Sequence, residues 1–399
     1  MTSEHAGPLP TFPFDTVPGL DRVPEAERLL AQASVVRARS GDREVWLALG
    51  YRAVRQVLSD PRFSREAATR AGGPETIRSA ADPELLTSMD PPRHHHVRRL
   101  MSGAFSPRQL QRLEPRIQGI VDELQDRFEP PADFVRGLAE PLPVLVICEL
   151  LGVPVEDRDR DRIRAWAERL IARTAYPPEE IDDAVRQVRA YLNDLIHARR
   201  ERPDDALISA LVGLNDAEGH LSDSELTTNL QLLLMAGHET TVNQLGNSLI
   251  TLFQHPEQIE ALRLDPGLWP GAIEELLRHS MLTPSSLPRV TTEEADLDGT
   301  LIGAGEAVIP LTGVANRDPA AFTDPHRFDI RRTGPAPHLA LGHGPHYCLG
   351  AHLTKLELRI ALESVLKRFP TLTPAVEPSD IQWKEGLAVR TAKALPVTW

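Results

Sequence analysis

The chain has 399 residues, 41% apolar and 25% charged, with a formal charge of −13; at roughly 100–200 residues per domain this allows two or three ordinary domains or one large one, with apolar content for a sizeable core. The acidic balance argues against a general nucleic-acid binder, and only two cysteines, Cys148 and Cys348, rule out a disulfide scaffold. The first residues carry no basic region or apolar run and no stretch reaches ~18 apolar residues, so the expectation is a cytoplasmic protein with no membrane partner.

The 35 prolines gather in the first 25 residues, at 91–92, at 130–154 and from 310 to 345. Helical patterns dominate between them. An early strand signal runs Val45-Trp46-Leu47-Ala48-Leu49. Residues 107–128 place Leu110, Leu113, Ile117, Ile120, Val121 and Leu124 on one stripe, the pattern of an amphipathic helix. Cys148 lies in the apolar run Leu145–Leu151 and reads as a buried structural thiol. Residues 155–173 and 178–200 predict two more helices, both rich in Arg, Asp and Glu. A second strand signal, Ala307-Val308-Ile309, follows a glycine-rich turn. The expected fold is mainly α with small β-sheets. With no repeat and no low-complexity linker, residues 1–399 read as a single large domain, with about the first ten residues loose.

One helical pattern stands apart. Ser222-Asp223-Ser224-Glu225 supplies a cap and an acidic first turn, and the pattern runs to about His255, before Pro256. At 1.5 Å per residue that is about 45 Å, the width of a domain. Its middle reads Leu232-Leu-Leu-Met-Ala236-Gly237-His-Glu239-Thr240-Thr241. A helix apolar on most faces belongs in a protein's interior. There a glycine costs about 1 kcal/mol, and an unpaired carboxylate costs more. Local rules broken together mark a candidate functional segment.

The second anomaly is His338-Leu-Ala-Leu341-Gly342-His-Gly344-Pro-His346-Tyr-Cys348-Leu-Gly350. An amphipathic helix follows, with Leu353, Leu356, Ile360, Val365 and Phe369 inward. Cys348 therefore sits just before a helix N-terminus, where backbone N–H groups and the dipole favour a thiolate. Three readings fit: a structural cysteine in a tight turn, a zinc site with His343, His346 and His352, or a haem held by a thiolate. Structural zinc usually wants two sulfur ligands. Spacing alone does not separate zinc from haem.

Gly342-x-Gly344-x-His346-x-Cys348-x-Gly350 resembles the cysteine-ligand loop of the cytochrome P450 superfamily, soluble bacterial type. Glu275-Leu-Leu-Arg278 is similar to that family's E-x-x-R, and Pro325-His-Arg327-Phe328 to its P-x-R-F. Ala236-Gly237-His-Glu239-Thr240-Thr241 resembles the oxygen-activating motif, and Asp90-Pro-Pro-Arg-His94-His-His-Val-Arg98-Arg99 the bacterial C helix. The resemblance covers roughly residues 10–399. One position departs: the family usually has Phe before the first loop glycine, and here it is Leu341.

The resemblance implies a single P450-type domain with a long central helix over a haem b, iron protoporphyrin IX. Cys348 becomes the iron's ligand, with Leu341, Gly342, Gly344 and Gly350 against the ring. His94, Arg98, Arg289, His338 and His346 become its propionate partners. Ala236, Gly237 and Thr240 line the ring's other side, and Glu239 with Thr240 relays protons through water. Glu275, Arg278 and Arg327 are expected to form a buried network that holds the loop. The pocket would be lined by Ala67–Leu86, about Ala172–Pro178, Leu233–Gly237, Leu282–Leu287 and Gly386–Val389.

The implied activity is a monooxygenase that inserts one atom of O2 into a small molecule, a secondary metabolite by expectation, in a monomer. Electrons would come from a ferredoxin and its reductase, because no flavin or nicotinamide fingerprint is present. The docking face would carry Arg99, Arg108, Arg112, Lys355 and Arg359. Desaturation, oxidative coupling or peroxide-driven oxidation would keep the haem and change the reaction. A haem sensor or carrier would keep it without turnover.

Overall fold

The computed structural model describes residues 8–14, 23–70, 77–153, 157–218 and 221–399. The expectations for the chain's first residues, and for 71–76 of the pocket lining, lie largely outside the described residues.

The long helix is present as Asp223–Phe253. Its start is fixed by reciprocal bonds: the Glu225 N–H donates to Ser222 Oγ at 3.1 Å and the Ser222 N–H to Glu225 Oε2 at 2.9 Å. Pro256 opens the next helix, Pro256–Leu264. The long helix packs against helices Pro141–Leu151, Asp157–Leu170 and Pro178–Glu201 on one side and Ala351–Arg368 on another. A helix surrounded this way is buried along most of its length, so its buried polar residues need partners. Asn229 accepts from the Leu86 N–H at 2.8 Å and donates to the Glu84 carbonyl at 2.9 Å, and Asn247 donates to the Arg390 carbonyl at 3.1 Å.

The stripe of residues 107–128 forms helix Pro107–Gln125, which lays Leu113, Ile117, Val121 and Leu124 into the core beside Ala351–Arg368. Cys148 is fully buried within Pro141–Leu151. Both strand signals belong to one six-stranded sheet. Its order is Thr11–Phe12, Val35–Ser40, Arg43–Ala48, Ala307–Pro310, Arg289–Thr291, Phe63–Ser64. Trp46 pairs with Val308 in parallel register, and Val308 with Arg289 in antiparallel register. The sheet thereby carries Arg289 into the molecule's interior. Two smaller sheets accompany it among the described residues. The fold is mainly α with small sheets, as the sequence pattern implied.

Candidate active site

The cysteine loop is bent by two left-handed glycines, Gly342 at φ +77° and Gly344 at φ +71°. A Cβ on Gly344 would stand 2.6 Å from the Leu58 carbonyl, so both its backbone angle and its neighbour demand glycine. The loop is tied by Leu341 accepting from the Cys348 N–H at 2.9 Å and Asn316 accepting from the Leu339 N–H at 2.6 Å. Arg98 donates to the Tyr347 carbonyl at 2.7 Å. Leu341 is half-buried and packs on the core, filling by aliphatic contact the place where the family pattern has a ring.

Cys348 lies deep among protein atoms while remaining part-exposed, as a side chain lining an internal space must be. Burial pushes its thiol up, against the opposing pull of the Gly350 N–H, Arg98 and Lys355. The Gly350 N–H pulls toward a thiolate, as the place of Cys348 before a helix implied, and burial opposes it. A bound metal cation would reverse that balance.

Beside this loop lies an unusual polar group. His94 is fully buried with neither ring nitrogen bonded, and its ring sits 4.2 Å from that of His346. Arg289 is buried and, among the described residues, its side chain donates only to the Leu287 and Pro288 carbonyls, at 3.0 and 3.3 Å. Arg65, buried nearby, donates to the same Pro288 carbonyl at 2.5 Å. Burial, together with Arg98 and His95, lowers His94 to about 4. Burial, with Arg289 and His94, lowers His346 to about 2. Burial and the Arg65 charge lower Arg289. Buried polar groups are normally bonded and buried charges paired, so the orphaned imidazole of His94, with a second imidazole against it and two guanidiniums beside it, forms a donor set that fits a dianion. The two propionates of haem are such a pair of charges, and the residues present fit the group.

Two sequence-based assignments are corrected. His338 is not among these donors: its Nε2 is 2.9 Å from Glu274 and its Nδ1 accepts from the Ala340 N–H at 3.2 Å. Burial opposes ionisation of Glu274, but His338 and Lys355 outweigh it and hold that carboxyl at about 2. The buried network also has a different member. Glu275 takes two bonds from Arg278, at 2.6 and 2.8 Å, and its second arginine is Arg332, at 3.0 Å, not Arg327. The Arg327 side chain is 67% exposed beside Asp329, and only its carbonyl takes part. The network reaches the cysteine loop through Asn316, whose carbonyl accepts from Arg278 while its side chain holds Leu339.

On the long helix, Ala236 is exposed and Gly237 and Thr240 are part-exposed, although neighbours on every side are buried. Thr240 Oγ1 donates back to the Ala236 carbonyl at 2.6 Å. Glu239 turns away from that opening. It is 4% exposed and lies near Asn243 and the Nδ1 of His238, the latter at 3.7 Å. Burial raises Glu239 to about 7, while Lys384 pulls it down and Glu168 and Glu140 push it up. His238 is fully buried, lowered to about 4 by that burial, and sits 3.4 Å from the Glu140 carbonyl. Sequence reasoning passed over His238, Arg65 and Arg332. Only Arg332 left a signal, as an arginine a few residues beyond the P-x-R-F motif.

The segment after Leu170 meets the turn at Gly386, whose carbonyl accepts from the Arg173, Thr174 and Ala175 N–H groups at 2.8, 3.0 and 3.2 Å. Leu282 accepts from the Arg390 N–H at 2.9 Å. Two of the five expected lining segments are thus in contact, and a third reaches Arg390, just beyond the end of Gly386–Val389.

The cytochrome P450 family model matches residues 165–265 and 268–397. The chain is 42% identical to the cytochrome P450 monooxygenase PikC of Streptomyces venezuelae, over 95% of this chain and 91% of that one. It is also 42% identical to nocardicin C N-oxygenase of Nocardia uniformis subsp. tsuyamanensis, over 98% of both. A crystal structure of the LnmA cytochrome P450 hydroxylase, from the leinamycin pathway of Streptomyces atroolivaceus S-140, superposes with a TM-score of 0.90 at 41% identity, covering 98% of this chain and 100% of that one. Motif, fold and likeness agree, and the chain belongs to the cytochrome P450 family.

Proposed function

We propose that the protein is a haem-thiolate monooxygenase acting on a small organic molecule, a secondary metabolite, with Cys348 as the iron's ligand. The observation that carries this reading is the orphaned imidazole of His94, with the His346 ring against it and buried Arg289 beside it near the cysteine loop. When bound, haem supplies O2 binding and its reductive cleavage, which a thiolate ligand favours. His94, His346, Arg98 and Arg289 would hold its propionates. Gly342 and Gly344 bend the loop so that Cys348 is presented from it.

Ala236 keeps the helix's open face small. Thr240 offers its hydroxyl at that opening. Glu239, with a carboxyl near 7, gains and loses a proton close to neutral pH and passes it toward Thr240 through water. Its charged surroundings, Lys384 with Glu168, lead outward from it.

No helix among the described residues is long and apolar enough to cross a membrane. Electrons come from a separate ferredoxin and reductase. Of the expected docking cations, Lys355 is spent on Glu274 at 2.7 Å and Arg359 on Glu114 at 2.5 Å. Exposed Arg99, Arg108 and Arg112 remain for an acidic partner. Oxidative coupling is the second reading, supported by a 37% identical structure, cytochrome P450mel 107F1, described as having biaryl coupling reactivity (TM-score 0.92, 98% of this chain and 99% of that one).

The test is the reduced, CO-bound spectrum. A band at ~450 nm is expected from a thiolate-ligated iron, and Cys348→His should lose it while Cys148→Ser keeps it. A Cys348→Ala variant that retains the band would overturn the ligand assignment.

A further inference from the structure

A cleft of about 380 Å³ opens between the N-terminal strand and the turn at Gly386. Its walls join apolar and aromatic side chains, Phe12, Phe14, Trp383 and Leu387, to polar ones such as Gln382, and Arg173 stands among them. The backbone there is firmly set. Ala172 pairs with Leu387, the Ala388 N–H donates to the Ile171 carbonyl at 3.0 Å, and Gly386 holds the Arg173 N–H. A Cβ on Gly386 would stand 2.6 Å from Ala175 N, so the two segments approach as closely as glycine permits.

The Arg173 side chain is unusual in this acidic protein. Its Nε is buried without a partner, and among the described residues its guanidinium makes no ion pair. The other wall cations differ: Lys384 is bonded to Glu168 at 2.6 Å, Arg390 has a partner, and Lys393 is exposed. The wall's carboxylate, Glu385, is exposed and exerts no resolved pull on Arg173. A guanidinium presents donors in a flat fork that matches a carboxylate. Apolar pockets with one or two placed polar groups are the usual form of small-molecule sites.

We propose that this cleft binds an organic acid, an apolar or aromatic body carrying one carboxylate that Arg173 takes up. The proposal rests on the monooxygenase reading only in making that acid the enzyme's substrate class. The cleft adjoins the site's machinery. Lys384, on its wall, acts on Glu239, and Asn247 of the long helix donates to the Arg390 carbonyl.

The experiment is isothermal titration of the holoprotein with phenylbutyrate and with its neutral isostere phenylbutyramide. The acid should bind at least about tenfold more tightly than the amide, the range expected of a charge-assisted bond. Arg173→Gln should bring the acid down to the amide's affinity, and Arg173→Lys should keep part of the preference. Equal binding of acid and amide overturns the proposal, as does no saturable binding of the acid up to about 10 mM. A folded Arg173→Gln protein that still prefers the acid overturns it too. These readouts use wild type as well as variants, so a misfolded variant leaves the test intact. They are independent of the CO spectrum, so either reading fails alone.

Discussion

Burial sets the chemistry of Glu239. Its carboxyl rises from 4.5 to about 7 through burial. Between those values the folded chain keeps a proton that the unfolded chain has released, so folding stability falls as pH rises through that window. Glu239→Gln should remove this share, which is at most about 1.4 kcal/mol per pH unit for one proton. Urea unfolding of both proteins at about pH 5 and about pH 7 measures it, and parallel slopes would refute the assignment. Thr240 acts at the opening instead. Thr240→Ala loses only a back-bond to Ala236, so stability should change by under about 1 kcal/mol. Product formed per NADH consumed should fall several-fold, with hydrogen peroxide making up the difference. Unchanged coupling would remove Thr240 from the proton path. Cys348, His94 and Arg289 could be singled out because the resemblance fixes their positions. His238 and Arg65 were not, since their roles arise from burial and neighbours that no local pattern encodes. Even for Glu239 the sequence placed the carboxyl at the opening with Thr240. Adjacent helix positions differ by about 100° in direction, and the carboxyl faces inward.

The long helix was the most legible element, because its cap, acidic first turn and terminal proline are all local signals. Its inner face was less so. Ala236 and Gly237 both looked like concessions to a close approach. A Cβ at Gly237, however, would meet only Ile147, at 3.7 Å, an ordinary contact. Glycine there is not required by packing, so Gly237→Ala should raise stability by up to about 1 kcal/mol from helix propensity. Thermal unfolding of the holoprotein, with the CO band as a control, tests this. A lowered melting temperature would mean the side chain collides with something other than the protein. The small sheets were half legible: two strand signals were real, but the strand that delivers Arg289 is only three residues long and pairs far away in sequence.

At the scale of the molecule, the buried network of Glu275, Arg278 and Arg332 joins a helix, the segment around Arg327 and, through Asn316, the cysteine loop. Removing Glu275 strands two cations, one of them fully buried and the other 17% exposed. Glu275→Ala should cost about 3–5 kcal/mol, the usual penalty for breaking a buried pair. It should also release haem more readily to an apo-haem acceptor. Wild-type stability with wild-type haem retention would show that the network is redundant. The sequence marked Glu275 and Arg278 but gave the third place to Arg327. The motif names a residue, whereas the network needs a guanidinium that can reach, and the chain turns so that Arg332 does.

The join at Gly386 is made by main chain alone, three amides converging on one carbonyl. A clasp of that kind is indifferent to lettering. The side chains at 173, 174 and 175 can be exchanged while the clasp holds, provided position 386 stays glycine. The cleft beside it can change its lining by single substitutions without first loosening its frame. Within a family that spans many metabolites, that separation of frame from flavour is a structural route by which one scaffold is retuned.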